Sequence, residues 1–511
     1  MKTLKIIKKL FLLIFILFFI VQNANAANRS LSLALLYTND IHGAIDASFA
    51  YYLNPEFPPK TGNLASIKTI LNNYKTLIGS DTYLLLDAGD FFQGTPLSNL
   101  SKGEAVIDIF NELGYTAVCP GNHDFDMGFD NLKNLAKILK ANLLCCNIFE
   151  EAANTIPEIF KPYIIQQIEN LKIGIIGVIT DDMPRLSSGQ NIKGLKFINS
   201  AQAVSKYVDI LKTIEKCDII IVLSHLGFEE DKILASKVKG IDIIIGGHSH
   251  TGVRKIYNDP ENHTLITQAF SKGGTLGNLT LIIDLDAKKI LNFKHELISL
   301  FSDQFPPDKK ILERIKYWKD KYEKGFDDVI GYTKYNLQKS SLESNLGNLI
   351  CDALMHRYGV DVAFQNSGGI RAEIKKGNIT LRDIFNVLPF DNEVMLLKMT
   401  GAELAEALEV SVLGTHGILQ VGGVEMVFNP KAPRYKKVKS AKVKGQPIDK
   451  DKIYTVATNS YLIESEGATY AVFKGAQYIE NTHDVLRDVV IDYIRQKKNI
   501  EVEIEGRIKT E

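Results

Sequence analysis

Five short stretches of this sequence carry side chains able to bind a metal ion or move a proton. TNDIHG holds Asp40 and His42, and DAGDFFQG holds Asp87 and Asp90. GNHDFD holds Asn122, His123, Asp124 and Asp126, SHLG holds His225, and GGHSH holds His248 and His250. Half of the chain's ten histidines fall in these places, each a few residues beyond an apolar run. Alternate residues of an extended segment share a side, so Asp40 and His42 can face one ion together. Gly246 and Gly247 let the backbone bend ahead of His248 and His250, whose imidazoles then face one way. In GNHDFD a simple turn accounts for Gly121 and Asn122, but not for a histidine with two aspartates. Carboxylates, an amide oxygen and imidazoles, without a thiolate, suit Zn, Mn, Fe or Co. They are too many for one tetrahedral ion. Two divalent ions about 3.5–4 Å apart, sharing one carboxylate, would use them all. Two such ions outweigh two aspartates and a bridging hydroxide, which leaves net positive charge for a phosphate dianion.

The elements that must position these groups are strands. Near-continuous apolar runs occur at Leu31–Tyr37, Tyr83–Leu86, Ala117–Cys119, Ile173–Val178, Ile219–Leu223 and Ile241–Ile245, separated by helical patterns. Such runs predict an α/β fold whose strands are buried on both faces. Ligands of open α/β sheets bind outside the carboxyl ends of strands, so the five turns can converge on one rim. The pattern breaks at Phe305-Pro306-Pro307. Asp308–Gly325 then reads as a charged helical connector, and a second α/β region runs from about 328 to 507.

Bulk composition fits this division. A chain of 511 residues exceeds one ordinary core. Hydrophobic residues at 45% and charged residues at 23% are globular usage, and 60 basic against 60 acidic residues argue against a nucleic-acid polymer as partner. The first residues differ. Lys2, Lys5, Lys8 and Lys9 precede the apolar run Phe11–Val21, and Ala24-Asn25-Ala26 follows. Basic start, short apolar run and A-x-A site predict a signal peptide over 1–26. The run is shorter than a membrane span needs, so the mature chain is expected without a stable membrane anchor, exported to a periplasm or secreted. Cys119, Cys145, Cys146, Cys217 and Cys351 are an odd set in no metal-binding spacing, and are expected as buried apolar side chains without disulfides.

TNDIHG, DAGDFFQGTP, GNHDFD, SHLG and GGHSH, in this order, resemble the calcineurin-like metallophosphoesterases, specifically the exported 5′-nucleotidase family. ESNLGNLICDAL (343–354), NSGGIR (366–371) and LPFDN (388–392) resemble that family's C-terminal domain, so the likeness covers nearly the whole mature chain. It implies a four-layer α/β/β/α metallophosphoesterase sandwich over 27–300, a linker helix over 301–327 and a smaller α/β substrate-recognition domain over 328–511. It implies two divalent ions. Asp40, His42, Asp90 and His250 would hold the first, and Asp90, Asn122, His225 and His248 the second. His123, oriented by Asp126, would stabilise the transition state while a metal-bridging hydroxide attacks phosphorus. Arg371 would fork onto the phosphate, with Asn366 and Gly369 beside it and Tyr461 against the substrate's base. The implied substrate is a small-molecule phosphate ester, nucleotides first.

The sequence departs from the family where the nucleoside is bound. Ile418 stands at one of two aromatic stacking positions, and Ala468 where a ribose-binding aspartate is expected. One lost stacking face costs about 1–3 kcal/mol. These departures keep other readings open. The substrate could be a non-nucleoside ester, a cyclic 2′,3′-nucleotide, a nucleotide pyrophosphate or a thiosulfonate, or the chain could be an idle binding protein.

Overall fold

The computed structural model describes residues 29–50, 53, 57–413, 417–464 and 470–511. The signal-peptide stretch 1–26 and Ala468 lie outside the described residues. The apolar runs become strands, and their alternation explains why they are apolar throughout. In the strand Ser30–Thr38, Leu33, Leu35 and Tyr37 face one core while Ala34 and Leu36 face another. In the strand Ile219–His225, Ile219, Ile221 and Leu223 join that first core, and Ile220 and Val222 enter a third. Side chains alternate across a strand, so each strand needs apolar residues on both faces when both are covered.

What covers them is a second sheet on one face and helices on the other. One six-stranded sheet runs in the order Lys289–Ser299, Thr275–Asp284, Ser30–Thr38, Thr82–Asp87, Ala117–Val118, Asn142–Leu143. The other runs Tyr257–Asn258, Leu265–Thr267, Ile243–Gly246, Ile219–His225, Leu171–Ile179, Tyr163–Ile168. Ser30–Thr38, Thr82–Asp87 and Ala117–Val118 run parallel in one sheet, and Ile219–His225 and Ile243–Gly246 in the other, so within each sheet the ligand turns leave from the same edge. The result is the four-layer α/β/β/α sandwich.

The segment after the first domain forms the helix Lys309–Tyr322. Asp308 caps it by accepting from the Ile311 N–H at 3.1 Å. The helix lies on the N-terminal domain: Ile311 and Ile315 enter its core, Arg314 and Trp318 bond Asp108, and Lys319 reaches Asp46 at 2.6 Å. Beyond it, a five-stranded mixed sheet is ordered Gln420–Gly422, Val362–Gln365, Ile453–Asn459, Glu393–Thr400, Tyr478–Val485. Helices Asn345–Tyr358 and Leu486–Lys497 bury one face of it, and Gly401–Ser411 the other. All five cysteines are free and buried, as expected from the sequence. Among the described residues, no helix is long and apolar enough to cross a membrane.

The two domains meet over the rim of the sandwich. Asn99 donates to the Pro389 carbonyl, Ser188 to Glu464 at 3.2 Å, and Lys272 to the Arg371 carbonyl at 3.3 Å.

Candidate metal and substrate site

The two loops that carry the first aspartates are zipped together beyond their parallel strands. The Asp40 N–H donates to the Gly89 carbonyl and the His42 N–H to the Asp90 carbonyl, both at 2.8 Å. Glycine is required where the loops crowd. A Cβ on Gly121 would meet Asp90 Oδ1 at 2.2 Å, and one on Gly89, at φ +94°, would meet both the Gly121 nitrogen and His225 Nδ1 at 2.7 Å. Five of the seven candidate ligands also take left-handed backbone: Asp40 (φ 50°), His42 (49°), Asp90 (55°), His248 (73°) and His250 (55°). Each such residue costs on the order of 1–3 kcal/mol, which the surrounding structure must offset.

The structure brings the seven sequence-predicted metal residues together. Donor atoms of Asp40, His42 and His250 lie within 4.8 Å of one another, as do those of Asp90, His225 and His248. Asn122 joins the second set, its Oδ1 lying 2.9 Å from His248 Nδ1. Asp90 stands between the sets. Its Oδ2 is 3.7 Å from His42 Nε2 and 3.2 Å from His225 Nε2, while its Oδ1 accepts the His123 N–H at 2.8 Å.

These residues fit divalent cations. His225 Nδ1–H donates to the Ala88 carbonyl at 2.7 Å, which aims Nε2 into the site. That Nε2 is buried and lies 3.2 Å from Asp90 Oδ2. His42 Nε2 and His250 Nε2 face each other at 3.0 Å, two acceptors that one cation would serve. Burial holds His42 well below the usual imidazole range, and burial with nearby cations brings His248 to about 3 and His250 to about 4, so all three are neutral ligands. Burial pushes Asp40 up to about 7 against the pull of His225. Burial also penalises the Asp90 carboxylate, yet His225, His123 and His42 outweigh it and hold Asp90 well below its ordinary value. His225 loses charge to burial but regains it from Asp90 and Asp40, which carry it up to about 10.

His123 lies beside the two sets rather than within either. Its Nδ1 is 2.7 Å from Asp126 Oδ2. Burial opposes its charge, but Asp126 and Asp90 together raise it above the ordinary value. Above it lies a cavity of about 570 Å³ bounded by both domains. His123, Asp126, Asn366, Gly369, Arg371 and Tyr461 all line it, together with Asp90, Asn122, His248 and His250. Asn366 is fixed by accepting from Asn459 at 2.9 Å. Ile418 does not line this cavity, although it packs, like Tyr461, against the core on one face of the five-stranded sheet.

Several contributors have roles that residue spacing does not show. Asp124 is fully buried and accepts from the backbone N–H groups of Asp90 (3.0 Å), Phe92 (2.9 Å) and Gly121 (2.7 Å), so one carboxylate pins two of the ligand loops. Asn39 donates to Asp40 Oδ2 at 2.6 Å and ties it to the Ala269–Phe270 turn. Phe390 reaches across the seam, its ring 5.7 Å from that of His123 and 5.7 Å from the Arg371 guanidinium. Asp124→Ala would strand three buried donors. It is expected to lower stability by about 3 kcal/mol or more and metal affinity by about 10–100-fold. Thermal unfolding and a metal titration check this, and unchanged affinity would show that the loops hold themselves.

Comparison with known proteins agrees with this geometry. Residues 33–252 match the family model for calcineurin-like phosphoesterase, and residues 329–475 match that for the 5′-nucleotidase C-terminal domain. A 5′-nucleotidase of Diplobatis ommata is 31% identical over 93% of this chain and 89% of its own length. A 5′-nucleotidase of Bos taurus is 30% identical over 94% of this chain and 92% of its own. The crystal structure of a 5′-nucleotidase precursor from Thermus thermophilus, 29% identical, superposes with a TM-score of 0.86 over 94% of this chain and 99% of that one. With both domains matched and the ligand turns gathered at one rim, the chain belongs to the 5′-nucleotidase family of metallophosphoesterases.

Proposed function

We propose that this chain is an exported phosphoesterase that holds two divalent ions, Zn, Mn, Fe or Co, and releases phosphate from nucleotides. The observation that carries this reading is Asp90, whose Oδ2 lies between His42 of one donor set and His225 of the other, beneath a cavity lined by His123 and Arg371. In this division of labour, residues 27–300 hold the ions and 328–511 recognise substrate, with 301–327 between them.

Asp40, His42, Asp90 and His250 hold one ion, and Asp90, Asn122, His225 and His248 the other. Bound there, the two ions supply positive charge to the phosphoryl oxygens and lower the pKa of the attacking water. Asp126 holds the proton of His123 Nδ1, which leaves Nε2 to donate to a phosphoryl oxygen as charge builds. Arg371 pairs two N–H groups with the phosphate, and the Phe390 ring, tilted against that of His123, keeps bulk water from that side. Water's oxygen forms the new bond to phosphorus, the ester P–O bond breaks, and no side chain forms a covalent link to phosphate. Tyr461 offers one face to the substrate's base, while Asn366 and Gly369 bring backbone and amide close to the phosphate. A second reading, a related ester without a nucleoside, is favoured by Ile418, an aliphatic side chain that does not line the cavity and offers no second aromatic face.

Metal-loaded protein assayed on AMP and p-nitrophenyl phosphate tests both readings. Clear preference for AMP by kcat/KM supports the nucleotide, parity supports the second reading, and no metal-dependent phosphate release from either sinks the proposal. Arg371→Ala is expected to raise KM by about 10–100-fold, the worth of a charge-assisted bond to phosphate. An unchanged KM would remove Arg371 from substrate binding.

A further inference from the structure

One wall of the cavity is a loop with no regular structure of its own. Residues 388–392 join the helix Leu381–Val387 to the strand Glu393–Thr400, and Pro389, Phe390, Asp391 and Asn392 line the cavity. This loop carries the Phe390 ring to 5.7 Å from both the His123 ring and the Arg371 guanidinium. A ring face draws cations, so Phe390 can steady the two groups that are to meet the phosphate.

What fixes the loop lies behind the wall. Arg487, the second residue of the helix Leu486–Lys497, is buried and does not line the cavity. Its Nη1–H donates to the Leu388 carbonyl at 3.1 Å and its Nη2–H to Asp391 Oδ1 at 2.6 Å. One guanidinium thus grips the loop on either side of Phe390. Backbone bonds tie the loop's ends: the Arg371 N–H donates to the Val387 carbonyl at 2.8 Å, and the Leu486 N–H to the Asn392 carbonyl at 2.9 Å. Asn99 adds its bond to the Pro389 carbonyl from the other domain.

Packing alone does not account for an arginine here. A buried guanidinium loses its hydration, and a favourable buried pair satisfies every donor. In Arg487 the Nε–H has no partner among the described residues, and the Asp391 side chain is 59% exposed. The Arg487 guanidinium lies 3.8 Å from the Phe385 ring centroid, a surface that an apolar side chain would cover without losing hydration. What only arginine supplies is a rigid fork that reaches two acceptors at once.

Resting on the phosphoesterase reading above, we infer that Arg487 is a positioning residue for the reaction. Its fork sets the Phe390 ring against His123 and Arg371, and through that ring sets both groups for the phosphate. Arg487 itself belongs to neither donor set.

Kinetics of the full-length, metal-loaded chain test this, read on the better of AMP and p-nitrophenyl phosphate. Arg487→Met keeps bulk over Phe385 and removes the fork. It should lower kcat about tenfold and raise KM about threefold, with the metal content unchanged. Arg487→Lys keeps the charge without the fork, should fall between, and carries the test if the methionine variant does not fold. Phe390→Leu should move both constants in the same direction. Adding Arg487→Lys to Phe390→Leu should then change kcat/KM less than about twofold, because the ring through which Arg487 acts is gone. Val490→Ala, buried on the same helix, is the control for plain destabilisation: it should lower Tm and leave both constants alone. The inference is overturned if Arg487→Lys keeps wild-type constants, if its full loss persists on top of Phe390→Leu, or if Val490→Ala gives the same loss. A wild type with no metal-dependent turnover instead removes the phosphoesterase reading, and this role with it.

Discussion

Asp90→Ala is expected to lower phosphate release by about 10³-fold or more, and to leave fewer than two ions bound per chain. The argument is positional. Asp90 Oδ2 is near one histidine of each donor set, so its loss separates the sets and leaves His225 Nε2 facing nothing. A metal Lewis acid is worth several kcal/mol to a phosphoryl transition state, which at tenfold per about 1.4 kcal/mol gives this magnitude. The same carboxylate accepts the His123 N–H, so its removal also loosens the loop that aims the imidazole. Metal content by mass spectrometry and steady-state rates read the two effects separately. A variant that keeps two ions and the wild-type rate would show that Asp90 joins nothing.

His123→Ala should separate chemistry from metal binding. Its ring belongs to neither donor set, so both ions are expected to remain while kcat falls by about 10²–10⁴-fold, the usual worth of a positioned proton donor. Asp126→Asn keeps the size of the partner but removes the charge that raises His123, and should fall between wild type and His123→Ala. The contrast between the Asp90 and His123 variants is the diagnostic. An idle binding protein would show no turnover to lose, and loss of an ion with His123 would place that residue among the ligands instead.

The ligand turns were legible in the sequence because each follows a strand whose apolar run has a recognisable length, and because Asp, Asn and His at those ends have few structural duties. The doubling into two sheets was less open to direct reading. Leu33–Tyr37 shows that both faces are covered, but not that a sheet covers one and helices the other. GNHDFD marked Asp124 as a candidate but hid its role, because it acts on backbone N–H groups, which any sequence supplies. Phe390 escaped because its contact with His123 exists only where two domains meet, and no spacing within one domain reports that. The helix Lys309–Tyr322 reads as a charged connector, yet Ile311 and Ile315, four residues apart, are enough to seat it on the first domain.

The left-handed turns at the rim also limit which donors this cage can use. Asp, Asn and His tolerate positive φ better than other side-chain-bearing residues. Five of the seven donor positions sit at such φ, and all five are Asp or His. A glutamate there could reach an ion with its longer arm, but its backbone would resist the turn; a glycine would welcome the turn and bring no donor. Drift at these positions is thus confined to a three-letter vocabulary, set as much by peptide geometry as by the appetite of the ions.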